Sequence, residues 1–68
     1  MLKIDLEKIK MLRKEKRLSQ SDLANCLGYK TPIGYHYLES GRCQIKADQL
    51  VVLAKELGVE VRELFSGN

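Results

Sequence analysis

Tryptophan is absent from the 68 residues, histidine, proline and phenylalanine occur once each, and there are two cysteines. Each scarcity closes a route. A single histidine, no glycine-rich phosphate loop and no metal-spaced carboxylate pair leave catalysis without its usual groups. Cys26 and Cys43 lack a CxxC spacing, and with His36 they fall short of the roughly four ligands of a zinc site. One disulfide would be unusual in a reducing compartment, so both read as ordinary thiols. No apolar run approaches the roughly 20 residues of a membrane span, and no leader pattern is present. A cytoplasmic chain without membrane association is expected. So short a chain buries only roughly 60% of its unfolded surface, which implies one domain over residues 1–68. It has little room for a pocket of about 300 Å³ or more. No enzyme activity, cofactor, metal or small-molecule ligand is expected.

What is present is charge, unevenly spread. The chain is 44% apolar and 31% charged, with a formal net charge of +3, a globular composition. Residues 1–17 carry seven basic and three acidic side chains, a net of +4. The middle, 18–46, has a net of +1, and 47–68 a net of −2. A basic front and an acidic tail suit a protein with one anion-facing side, although a lysine-rich helix face is also an ordinary solvated surface.

Periodicity predicts an all-α fold of five short helices and no strand. Leu6, Ile9 and Leu12 mark a first helix from Asp5, its N-cap, to about Lys16. Ser19-Gln20-Ser21-Asp22 has the form of a capping box. It opens a second helix with Leu23, Ala24 and Leu27 on one stripe and Gly28 at its left-handed end. Thr31-Pro32 starts a third, with threonine as N-cap and proline first in the helix. This helix faces Tyr35 and Leu38 inward and ends at Gly41. Gly34 within it costs about 1 kcal/mol relative to alanine, a sign of close backbone approach to something. Leu50, Leu53, Ala54 and Leu57 give an amphipathic fourth helix stopped by Gly58. Val61, Leu64 and Phe65 give a last turn or two before a frayed Ser66-Gly67-Asn68 end.

Two short helices joined by a tight glycine turn, the second capped, describe a helix-turn-helix over about residues 19–40. The ordered set Ser19-Gln20-x-Asp22-Leu23-Ala24-x-x-Leu27-Gly28, Tyr35-x-x-Leu38-Glu39-x-Gly41-Arg42, Leu50-x-x-Leu53-Ala54-x-x-Leu57-Gly58-Val59 and Glu63-Leu64-Phe65 resembles the Cro and lambda-repressor-type (Xre) DNA-binding domains. The resemblance covers about Ile9 to Phe65. From Gly28 to Gly41 the chain is one residue longer than the usual family spacing. The extra residue is assigned to Tyr29-Lys30-Thr31, which leaves the contact register open by one position.

The resemblance implies a compact repressor-like domain that places its third helix in a major groove about 12 Å wide, with first-turn residues at the base edges. Base-edge candidates are Thr31, Ile33, Gly34, His36 and Tyr37. They include none of the bidentate readers Asn, Gln or Arg. Ile33 offers apolar contact to a thymine methyl, Thr31, His36 and Tyr37 single hydrogen bonds, and Gly34 a close backbone. Modest discrimination, helped by DNA shape and dimer symmetry, is expected. Ile33 suits a core position equally well, Tyr35 takes an inward place, and Tyr29 and Tyr37 are expected at the surface. His36 also reads as a solvated histidine.

Phosphate candidates are Gln20, matching a family glutamine at the second helix's N-terminus, together with Lys30, Arg42 and Lys46. They position the protein without carrying sequence information. Arg13 and Glu39 stand where the family has a structural ion pair, whose breakage costs about 3–5 kcal/mol in a dry site. The implied function is a sequence-specific regulator of transcription, a repressor. Its expected partners are a double-stranded, pseudo-palindromic operator and a second copy, and its expected place is the nucleoid. Leu2, Ile4, Val52, Val59 and Phe65 are candidates for either a dimer surface or the core. The alternative is a protein-binding module on the same fold, an antitoxin or adaptor. An antitoxin is expected to need a toxin-binding segment beyond Phe65.

Overall fold

The computed structural model describes residues 2–67. Four α-helices carry the fold: α1 (Leu6–Glu15), α2 (Gln20–Cys26), α3 (Pro32–Ser40) and α4 (Ala47–Leu57). The expected fifth helix is a single 3₁₀ turn, Val61–Leu64. Four residues between Glu60 and an extended Phe65 cannot complete an α-helical turn pattern, and the tighter i→i+3 bonding takes over. Two short strands, β1 (Lys3–Ile4) and β2 (Phe65–Ser66), pair antiparallel, with Lys3 opposite Ser66 and Ile4 opposite Phe65. Sequence periodicity misses them because two residues have no period. Ser66 is therefore paired rather than frayed, while Asn68 lies outside the described residues.

Local signals set the helix starts. Asp5 accepts from the backbone N–H of Lys8 at 3.0 Å. Ser19 Oγ accepts from the Asp22 N–H at 3.0 Å, and the Asp22 carboxylate accepts from the Ser19 N–H at 2.7 Å, completing a capping box. The Ser19 N–H first, and the Ser19 hydroxyl beside it, hold the Asp22 carboxyl below its usual range. Thr31 occupies the N-cap place of α3, but its side chain makes no capping hydrogen bond.

The helix ends follow one pattern. Leu18, Tyr29, Arg42 and Val59 each donate a backbone N–H to the carbonyl five residues back, at 3.0, 2.9, 2.9 and 3.0 Å. The residue before each has positive φ: Arg17 at 58°, Gly28 at 84°, Gly41 at 85° and Gly58 at 71°. These are Schellman ends. Three use glycine, which accepts the left-handed conformation freely. Arg17 does not, and holds it at a steric cost.

Ile9, Leu23, Ala24, Tyr35, Leu38, Leu50, Leu53, Ala54, Leu57 and Leu64 form the core. Every α-helix and the 3₁₀ turn contributes to it. Ile4, Val59 and Phe65 pack against it half-buried, whereas Leu2 is 68% exposed. Among the described residues no helix is long and apolar enough to cross a membrane. Cys26 and Cys43 are exposed free thiols. Burial and the neighbouring Glu56 carboxylate, which accepts from Cys26 Sγ at 3.2 Å, push the Cys26 thiol up.

Candidate nucleic-acid interface

Residues of α3 divide by helical spacing. Tyr35 and Leu38 are buried, and the opposite face carries Ile33, His36, Tyr37 and Ser40 at i, i+3, i+4 and i+7. Ile33 is 56% exposed, which places it on the outer stripe and not in the core. Gln20, Thr31, Pro32, Ile33 and His36 line one open groove between the starts of α2 and α3. On its other side, Glu7 and Lys10 of α1 approach Gln20, His36 and Ser40. Lys10 had no motif to mark it, because its place beside α3 depends on how α1 packs.

The frame behind this face is electrostatic. Glu39 receives a two-pronged contact from Arg13: Nε to Oε2 at 2.9 Å and Nη2 to Oε1 at 3.0 Å. Their side chains are only 10% and 4% exposed. Arg13 Nη1 donates to the Leu18 carbonyl at 2.9 Å, so the guanidinium also ties down the end of its own helix. Tyr35 donates to Glu39 Oε2 at 2.6 Å, and Gln20 Nε2 to Oε1 at 3.3 Å. Four donors thus meet the two carboxylate oxygens, its full accepting capacity. Burial pushes the Glu39 carboxyl up, but the bonds from Arg13, Tyr35 and Gln20 outweigh it and hold it below the usual range. Burial and the same carboxylate push the Tyr35 hydroxyl strongly up, so it stays a donor. The result joins α1, α2 and α3 rigidly at the base of the exposed stripe.

Two placements correct the sequence reading. Tyr29 is half-buried rather than exposed. Its hydroxyl accepts from Gln49 Nε2 at 2.9 Å, which supplies the partner that burial requires. Its ring lies against Gly34, where an added Cβ would meet Cδ1 at 2.6 Å and Cγ at 2.9 Å. The close approach that Gly34 permits is therefore to Tyr29, inside the molecule, and its Cβ direction does not open onto the groove face. Tyr37 is also half-buried. The Arg42 guanidinium sits 5.0 Å from its ring centroid.

Gln20 lies at the groove with Nε2 also 3.4 Å from His36 Nδ1. Lys30, Arg42 and Lys46 are exposed. Among the described residues the ion pairs are Arg13–Glu39 and Arg62–Glu60, so none of these three cations is held by a carboxylate. The sequence pattern of the helix-turn-helix family matches residues 9–64, from the first core residue of α1 to the last of the 3₁₀ turn. The chain belongs to that family. Its type is the Cro/CI, Xre-like one. No curated protein gives a match. Within the matched residues, 27–31 connect α2 to α3.

Proposed function

We propose that the chain is a sequence-specific regulator of transcription, a repressor. In this reading two copies bind a pseudo-palindromic operator, each with α3 in a major groove. The observation that carries this is the outer stripe of α3. It carries the exposed Ile33, His36 and Ser40 and is flanked by cations without carboxylate partners, on a helix whose buried side is locked by Glu39. Ile33, 56% exposed, stands in the first turn of α3, where it lines the groove shared with Gln20, Thr31 and His36.

Thr31, Ile33 and His36 face the base edges, with Ile33 against a thymine methyl. Gln20, Lys30, Arg42 and Lys46 hold backbone phosphates on either side. The Arg13–Glu39 pair fixes the recognition unit on α1. Since no side chain in the stripe gives a bidentate base contact, discrimination comes from methyl contacts, DNA shape and the two-fold repeat of half-sites about 34–36 Å apart.

Selection from a randomised duplex pool tests this, followed by titration of the selected and a shuffled duplex at two salt concentrations. The reading expects a preference of about 10³ or more and a log–log salt slope of about −0.9 per phosphate contacted. Weak, equal binding to both would instead favour the protein-binding module, an antitoxin or adaptor. No binding at low salt would overturn the DNA reading.

A further inference from the structure

Among the four helix ends, α3 is the exception. After the left-handed residue, α1, α2 and α4 place Leu18, Tyr29 and Val59, and all three pack half-buried against the core. That is the apolar contact which normally closes a Schellman end. After Gly41, α3 places Arg42, exposed, with its guanidinium carbon 5.0 Å from the centroid of the Tyr37 ring. Tyr37 is the residue whose carbonyl closes that end. It accepts from the N–H groups of Arg42 at 2.9 Å and Cys43 at 3.2 Å, and from Ser40 Oγ at 3.3 Å. The chain after α3 is therefore folded back upon Tyr37, and the helix-closing contact is between a cation and an aromatic face.

We propose that Tyr37 is a positioning residue for Arg42. Its ring is the platform that holds the guanidinium toward a backbone phosphate at the end of α3, so Tyr37 serves the phosphate clamp and not base reading. Arginine has the most rotamer freedom to lose on making such a contact, and a stacked guanidinium has already lost part of it. The face of the ring does this work and the hydroxyl has no share in it. The proposal rests on the DNA-binding reading, but its first readout does not require DNA.

In the free protein, ring current from Tyr37 shifts the Arg42 Hδ resonances upfield. The shift persists in Tyr37→Phe and disappears in Tyr37→Leu; its absence from the wild type would overturn the proposal. On DNA, Tyr37→Phe binds as the wild type does. Tyr37→Leu loses about 2- to 5-fold on selected and shuffled duplexes alike, the range of an exposed cation–aromatic contact. Arg42→Ala flattens the salt slope by about 0.9. In the Arg42→Ala background, Tyr37→Leu has no further effect. A fall in the ratio of selected to shuffled binding in Tyr37→Leu or Tyr37→Phe would make Tyr37 a base reader. A Tyr37→Leu loss that persists without Arg42 would make it merely structural. Either result overturns the proposal while leaving the DNA reading intact, whereas a wild type that binds neither duplex overturns that reading itself.

Discussion

Replacing Gly34 with alanine has opposite effects on stability depending on whether Tyr29 is present. In a helix, alanine is favoured over glycine by about 1 kcal/mol. Against this, a Cβ at position 34 would stand 2.6 Å from Tyr29 Cδ1 and 2.9 Å from both Cγ and Cε1. Carbon atoms pack at about 3.5–4.0 Å, so the ring must retreat by ~0.9 Å or more. It cannot simply swing away. Cγ is the root of the ring, and the hydroxyl is held by Gln49, whose Oε1 in turn accepts from the Lys46 N–H at 3.0 Å. Overpacking of this kind costs about 1–3 kcal/mol, so Gly34→Ala alone lies between neutral and about 2 kcal/mol destabilising. In a Tyr29→Ala background the obstacle is gone, and the same substitution stabilises by about 1 kcal/mol. The coupling between the two sites is thus about 1–3 kcal/mol. Urea denaturation of the four proteins, followed by helical circular dichroism near 10 °C with one osmolyte concentration throughout, closes the cycle. A gain of about 1 kcal/mol for Gly34→Ala in both backgrounds would show that Tyr29 does not rest on α3.

Other perturbations test the frame and the helix ends. Arg13→Met leaves the Glu39 carboxylate buried without its cation and costs about 3–5 kcal/mol, a large share of what a domain this size has, so the thermal midpoint falls sharply; a loss below about 1 kcal/mol would mean the pair is effectively solvated. Glu39 has a folded-state pKa below the ordinary glutamate value of 4.5, so its contribution is complete above that value and is lost as pH falls through the folded one. Thermal midpoints between pH 7 and pH 3 should therefore drop less steeply in Glu39→Gln than in the wild type, with Asp22 supplying part of the remaining acid dependence; equal slopes would contradict the assignment. Arg17→Gly relieves a left-handed cost of about 1.5 kcal/mol and incurs about 0.8 kcal/mol of glycine chain entropy, taking the middle of each range, for a net gain of about 0.7 kcal/mol. That gain raises the midpoint by a few degrees, and an unchanged or lowered midpoint would show that Arg17 carries no strain.

What was legible in the sequence was local. The Ser19–Asp22 box, the proline at the start of α3, the left-handed glycines and the Leu50–Leu57 stripe involve residues within one or two helical turns, where chemistry and spacing suffice. The Arg13–Glu39 contact spans 26 positions, and only the family resemblance suggested it; nothing in the spacing of an arginine and a glutamate that far apart fixes their meeting. The 3₁₀ turn and the two-residue strands escaped because their lengths fall below any period.

Gly34 shows how a correct local inference can acquire the wrong partner. That a glycine in a nine-residue helix permits close approach follows from its missing side chain alone. Which group approaches depends on the conformation of residues 27–31, and that conformation depends on Gln49, twenty positions beyond Tyr29. Tyr29 turns inward from this connection, with its ring against Gly34 and its hydroxyl on Gln49. Its inward turn gives α3 a second support, on the side away from Glu39. One support is ionic and ties the last turn of α3 to α1 and α2; the other is a ring wedged against its backbone and tied to α4. In the proposed reading, the helix offered to DNA is held from both flanks by contacts that leave Ile33 and His36 exposed. A loss of either support should therefore alter specificity through the angle of α3 before it removes any group that reaches a base.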